Sequence, residues 1–231
     1  MIKLLTTPYC EICGRELKYS EMLSGVCEYC VNKIEFINPE DACKKCSLPN
    51  VKDDCPYCKS IPFSITRNVS LFRYDGTVKS LFFKLKFNND KSKIKIFHKL
   101  IKNLNVNTLI GKNVDFIVPV PSSPITYFKR GFNIINSIFK PISRIWQIEF
   151  LDILGRKIFH RSQKKLSKSE RQSEIKKQFF IRKEVDLSHK TILIVDDVFT
   201  TGSTVNTCSE LIKSLGASEV YSLTLFRANL L

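Results

Sequence analysis

The chain has 231 residues, a formal net charge of +15 and 43% hydrophobic residues, enough for one α/β domain with a small appendage and a real core. No window approaches the ~20 apolar residues of a membrane span. The opening MIKLL is too short for a signal-peptide apolar region and TTPYC lacks a small-residue run before its cysteine, so a cytoplasmic protein without membrane insertion is expected. The basic excess fits a polyanionic or phosphorylated partner, although many lysines sit beside asparagines, a pattern that compositional bias also produces.

Eight of the nine cysteines precede residue 60, and all eight form CxxC pairs: Cys10/Cys13, Cys27/Cys30, Cys43/Cys46 and Cys55/Cys58. Each CxxC turn aims two sulfurs at one point, so four turns supply two tetrahedral sites of four thiolates each, the chemistry of structural Zn2+. Disulfides are the competing reading, and a reducing compartment disfavours them. Sequential pairing closes the shorter loops, with 13 residues between the first two pairs and 8 between the last two. Interleaved pairing stays open. Residues 1–59 are thus expected to be a cysteine-rich double zinc ribbon held by metal because its apolar content is small, and 60–231 a larger α/β domain.

Along that second domain, Ile65 to Tyr74 alternates imperfectly and reads as a strand, followed by the Asp75-Gly76 turn and a helix capped by Thr77 that ends near Phe87. A second helix follows a break at Asn88-Asn89. Between Lys79 and Lys102 stand eight lysines against one acid, Asp90, either a solvated face or a track for phosphates. VDFIVPV, Val114 to Val120, is a buried strand running into the rigid turn Pro119-Val120-Pro121-Ser122, placed where open α/β sheets bind ligands. After Lys129-Arg130-Gly131 comes an apolar helix pattern from Ile134 to Ile145, with Pro141 as an expected kink or break, and Phe150 to Leu154 reads as a short strand. Residues 156–183 carry eleven basic residues and two acids, a segment that reads as a functional loop returning as a strand at Gln178 to Ile181.

TILIVDDVFTTGST, Thr191 to Thr204, concentrates the chemistry. Ile192 to Val195 read as a strand buried on both faces, Asp196 and Asp197 follow, and a helix pattern starts near Ser203 and stops at Gly216. The two carboxylates can accept hydrogen bonds from vicinal ribose hydroxyls or hold Mg2+ near a diphosphate. Amides and hydroxyls of Thr200, Thr201, Gly202, Ser203 and Thr204 can wrap a monophosphate at the helix N-terminus. That combination suits a sugar phosphate. Glu219 to Phe226 completes the sheet, and neither a Walker A loop nor a dinucleotide fingerprint occurs.

VDDVFTTGST resembles the phosphoribosyl-diphosphate (PRPP) signature of type I phosphoribosyltransferases. With the double zinc ribbon, YDGTVKSLFFKLKF, the VPVP turn, RGFN (Arg130 to Asn133) and the Gln163, Leu166, Arg171, Phe179 pattern, the whole chain from about Cys10 onward resembles the ComF family of competence-associated proteins. The resemblance implies a type I phosphoribosyltransferase fold, a central mostly parallel sheet with flanking helices and a hood loop, behind the zinc module. It implies that Asp196 and Asp197 contact the ribose of a PRPP-Mg2+ complex as the catalytic pair, that residues 200–204 hold the 5'-phosphate, and that Pro119, Val120, Pro121, Ser122 and Arg130 receive the diphosphate. It further implies a part in natural transformation, with single-stranded DNA and a competence helicase or other transformation proteins as partners. His160 and Glu174 depart from the family pattern in the basic loop. Two alternatives stand beside this reading: an active phosphoribosyltransferase of nucleotide salvage, and a ligand-sensing interaction module. No residue identifies the nucleophile of a transfer.

Overall fold

The computed structural model describes residues 8–22, 25–52, 55–59, 62–158 and 177–228. Its centre is a five-stranded, all-parallel sheet of β1 (Arg67–Arg73), β2 (Phe116–Pro119), β3 (Glu149–Phe150), β6 (Thr191–Phe199) and β7 (Glu219–Arg227), in the order β1-β7-β6-β2-β3. β4 (Leu154–Arg156) and β5 (Phe179–Ile181) form a separate antiparallel ribbon. The helices are α1 (Tyr19–Met22), α2 (Glu28–Asn32), α3 (Gly76–Phe87), α4 (Lys93–Ile101), α5 (Val106–Ile110), α6 (Pro124–Arg130), α7 (Ile134–Ile145) and α8 (Ser203–Ser214).

Alternation along β6 builds two cores. Leu193 and Val195 face α3, α4 and α7, while Ile192 and Ile194 face α8. The cysteine segment shares both. Cys10, Leu17, Val26 and Cys27 belong to the first cluster, and Cys43, Cys46 and Cys55 to the second.

β1 explains the imperfect alternation of its sequence. Asn68 and Ser70 are buried because partners await them: the Ser70 and Thr224 hydroxyls pair at 2.7 Å, the Ser222 hydroxyl donates to Asn68 Oδ1 at 2.8 Å, and Ser47 accepts from the Ser70 amide at 3.0 Å. The third CxxC turn thus docks on the edge strand through hydrogen bonds. On the other side, the buried Lys93 ammonium pairs with Glu11, beside the first CxxC turn, and with Asp90 at 2.9 Å.

Three expectations are corrected. α3 begins at Gly76 behind Asp75, so Thr77 lies inside the first turn and is not the cap. α7 runs through Pro141, so of the expected kink or break there the break does not occur. The single short strand expected at 150–154 is two pieces, β3 and β4, belonging to different sheets.

Candidate functional site

β6 and β2 lie side by side, Pro119 opposite Val195, with the Val120 amide donating to the Val195 carbonyl at 2.9 Å. From β6 the chain crosses through α8 to β7, whereas from β2 it crosses through α7 to β3, on the other side. Right-handed crossovers in opposite directions put α7 and α8 on opposite faces, and the crevice at the carboxyl ends of β2 and β6 is the switch point where open α/β sheets take ligands.

The acids do not follow the strand, as the sequence pattern suggested; they lie within it. β6 continues against β7 to Phe199 opposite Arg227, so Asp196 and Asp197 occupy the overhang beyond the last β2 pair. Asp196 Oδ1 accepts from the Asp197 amide at 2.8 Å. Burial pushes the Asp196 carboxyl up to about 8, and the like charge of Asp197 adds to that, outweighing the Asp197 amide, Lys86 and Arg156. The Lys86 ammonium of α3 forms an ion pair with Asp197. Burial lowers the Arg130 guanidinium, and Asp197 partly offsets it.

Beyond the acids, the loop turns at Gly202 into α8. Gly202 has φ +76°, and a Cβ there would lie 2.5 Å from the Phe199 ring and 2.6 Å from the Phe63 ring, so both conformation and space demand glycine. Gly202 supplies no side-chain cap to α8, although the Ser203 amide donates to the Thr201 hydroxyl at 3.4 Å; an uncapped helix N-terminus favours an anion. Thr201 and Ser203 hydroxyls sit 2.9 Å apart beside them. Across the crevice, Pro119 to Ser122 leads into α6, where the Ser123 hydroxyl caps the Thr126 amide at 3.3 Å. Arg130, at the end of α6, donates to the Lys86 carbonyl at 2.8 Å. The acid pair and the Thr200–Thr204 loop thus continue from the end of β6 beside the Pro119–Ser122 turn that continues from β2, with Arg130 joined to Asp197 through Lys86.

Lys86 and Arg156 were missed as site residues. Lys86 stood in the KLKF segment already noted, one residue before the helix end, but nothing local says that it reaches an acid 111 residues away. Arg156 donates to Gln178 Oε1 at 2.9 Å across the β4–β5 ribbon and contributes to the field at Asp196. That ribbon is the base of the basic segment; residues 159–176, including His160, Gln163, Leu166, Arg171 and Glu174, lie outside the described residues. The ninth cysteine, Cys208, is held up by burial and by the charge of Asp196, which keeps its thiol protonated and unreactive.

The eight other cysteines form two clusters in sequential pairing, Cys10/Cys13/Cys27/Cys30 and Cys43/Cys46/Cys55/Cys58, each with its four sulfurs mutually within 4.8 Å. Sulfur separations of 3.7 Å (Cys13–Cys27), 3.8 Å (Cys43–Cys58) and 3.7 Å (Cys46–Cys55) match the edge of a tetrahedron with Zn–S bonds of ~2.3 Å, ~3.8 Å. Burial raises the Cys27 thiol, but the Cys30 amide, Arg15 and the neighbouring thiols outweigh it and bring it to about 6. The donor set fits two structural zinc ions. Among the described residues no helix is long and apolar enough to cross a membrane.

Residues 87–229 match the model of the phosphoribosyl transferase domain. Competence protein ComFC of Streptococcus pneumoniae is 30% identical over 234 residues, covering 94% of this chain and 99% of that one. Competence protein F of Haemophilus influenzae is 26% identical, covering 89% and 91%, and the DNA utilization protein YhgH of Escherichia coli is 28% identical, covering 94% and 96%. The structure of Saccharomyces cerevisiae adenine phosphoribosyltransferase gives a TM-score of 0.36 at 15% identity over 61% of this chain and 71% of that one, too distant to bear on mechanism. With a phosphoribosyl transferase domain built around an acid-bearing β6, two four-cysteine clusters packed against its sheet, and a match to ComFC that spans nearly both chains, this protein belongs to the ComF family of competence-associated proteins with the type I phosphoribosyltransferase fold.

Proposed function

We propose that the chain binds PRPP with Mg2+ in the β2–β6 crevice and handles incoming single-stranded DNA in natural transformation. The observation that supports the first half is the register of β2 on β6: Pro119 pairs with Val195, so the Pro-rich turn adjoins the strand whose next residues are the two carboxylates and which leads into the Gly202-pivoted helix. In this reading the amides and hydroxyls of Thr200 to Thr204 hold the 5'-phosphate, Asp196 and Asp197 take the vicinal ribose hydroxyls, and Pro119 to Ser122 with Arg130 face the diphosphate. Bound Mg2+ would neutralise the diphosphate as it leaves.

In a transfer reaction the C1–oxygen bond breaks, diphosphate departs with the electron pair, and an acceptor lone pair forms the new bond to C1. The side chains' part is to fix the ribose through Asp196 and Asp197, stabilise positive charge at C1 through the Asp197 carboxylate and exclude water. Lys86 pairs with Asp197 before ligand arrives and must yield it when the ribose binds. The names of the relatives, competence proteins and DNA utilization proteins, together with the charge of +15, support the DNA half of the reading.

Calorimetry with PRPP-Mg2+ on the wild type and on Asp196→Asn/Asp197→Asn tests the site. Loss of binding by tenfold or more in the double variant is expected; equal binding discards the assignment. Diphosphate release with labelled PRPP and a panel of bases and amines separates a working enzyme from a binding protein.

A second reading, a ligand-sensing module in which PRPP occupancy is relayed to the zinc ribbon and its docking of a competence helicase, is favoured by one contact. Arg227 joins the phosphate loop to the second cysteine cluster. Partner capture that changes with PRPP is its expected sign.

A further inference from the structure

α3 shows solvent a face that its packing does not use. Val78, Leu81, Phe82 and Leu85 are buried, but Phe83 and Phe87, one turn apart, are 50% and 62% exposed with ring centroids 4.5 Å apart. An open groove of about 750 Å3 runs along this face, lined by Lys79, Phe83, Lys84, Asn88 and small polar residues, with no carboxylate among them. α6, PITYFKR, buries none of its residues and leaves Phe128 89% exposed. The ends of the two helices are tied to each other: Arg130 donates to the Lys86 carbonyl at 2.8 Å and Asn89 donates to the Arg130 carbonyl at 3.3 Å. The exposed rings are thus carried by two helices whose ends adjoin, and α3 reaches the acid pair because Lys86 pairs with Asp197.

Large exposed rings on two helices are not a stability device. The charges around them indicate the occupant. From Lys79 to Lys102 the only acid is Asp90, and it is already paired with Lys93. Lys91 lies 4.8 Å from the Phe132 ring, and Lys129 stands in the last turn of α6. A second copy of this chain would bring lysine against lysine, and duplex DNA offers no base faces to the rings. Flat rings interleaved with ammonium groups match a polyanion whose bases are unstacked: phosphates on lysines, bases on phenylalanines.

We propose that the α3–α6 face, with Phe83, Phe87 and Phe128 as stacking platforms and Lys79, Lys91 and Lys129 as phosphate contacts, is the single-stranded DNA surface of this protein. The proposal rests on the DNA half of the function given above and assigns it a place. Binding there runs beside the PRPP crevice, so strand and ligand can be held at once.

Fluorescence anisotropy of full-length protein with labelled oligo(dT), with oligo(U) and duplex in parallel, tests it. Phe83→Ala/Phe87→Ala and Phe128→Ala each weaken oligo(dT) binding about tenfold while PRPP-Mg2+ calorimetry is unchanged, and Phe128→Trp retains binding. Lys79→Gln/Lys91→Gln lowers the slope of affinity against salt by about 1.4. Wild type that binds DNA together with aromatic variants that bind equally well removes this surface and leaves the function standing. Wild type that fails to bind single strands at low salt removes both. A tighter grip on duplex than on oligo(dT), or a dimer that the phenylalanine substitutions turn into monomer, also overturns the proposal.

Discussion

Arg227 places its guanidinium 3.8 Å from the sulfur of Cys46, while the same guanidinium donates to the carbonyls of Phe199 and Thr200 at 3.2 Å each. Arg227 is fully buried at the end of β7 and its ring contact with Phe199 is 5.4 Å. A buried cation needs a counter-charge. Four thiolates around one Zn2+ carry a net negative charge, so the second cysteine cluster can supply it and the loop at Thr200 is held by the result.

Replacing Arg227 with Met should therefore do two things. It costs about 2–4 kcal/mol of stability, because the Thr200 and Ala228 carbonyls lose a donor while that of Phe199 keeps the Ala228 amide, and it speeds amide exchange across residues 199–204. Denaturant titration and hydrogen exchange read these separately; unchanged protection at the loop would show that Arg227 does not support it.

The sequential clusters predict metal content. Wild type should carry two zinc ions per chain, and Cys13→Ser/Cys30→Ser should carry one, as should Cys46→Ser/Cys55→Ser. Elemental analysis after gel filtration decides this. Interleaved coordination would make either pair of substitutions damage both sites.

Asp196 predicts a pH-dependent stability of unusual sign for a carboxylate. Its folded carboxyl is raised from 3.8 to about 8, so between those values the unfolded chain ionises while the folded chain does not. The contribution is present in full below the unfolded value and is lost as pH climbs through the folded one. Asp196→Asn cannot ionise, so in EDTA its melting temperature should exceed that of wild type by several degrees at pH 8, with the two converging near pH 4. A gap independent of pH would refute the burial argument.

Lys93 joins the first cysteine turn to α4. Its ammonium is buried against Glu11 and Asp90, and Lys84 also reaches Glu11 at 2.8 Å. Truncation by Lys93→Ala should cost about 2–3 kcal/mol through lost packing and lost pairing. Lys93→Met should cost less, because it fills the space and Glu11 keeps Lys84. Chemical denaturation of the three proteins gives the order directly; a methionine variant weaker than the alanine one contradicts it.

What sequence alone determined about this protein lies within a few residues of itself. The CxxC turns, the acid pair, the glycine-pivoted start of α8 and the buried strand Ile192 to Val195 are all set by local spacing, because each depends on side chains one turn or one pleat apart. The hydrophobic periodicity also separated α3 from α4 at Asn88-Asn89, and Asn89 indeed has φ +59°.

Tertiary structure decided the rest. Pro141 locally predicts a break, since it lacks the amide that would satisfy the Ser137 carbonyl. α7 continues because His98, 39 residues away, lies with Nε2 3.0 Å from that carbonyl and can donate to it. Likewise β6 extends past its acids because β7 pairs it as far as Arg227, and Lys86 meets Asp197 only once α3 is packed on the sheet. Parallel pairing, buried ion pairs and the rescue of an orphaned carbonyl join residues far apart in the chain. Their partners are selected by packing, which leaves no mark in the spacing of neighbours.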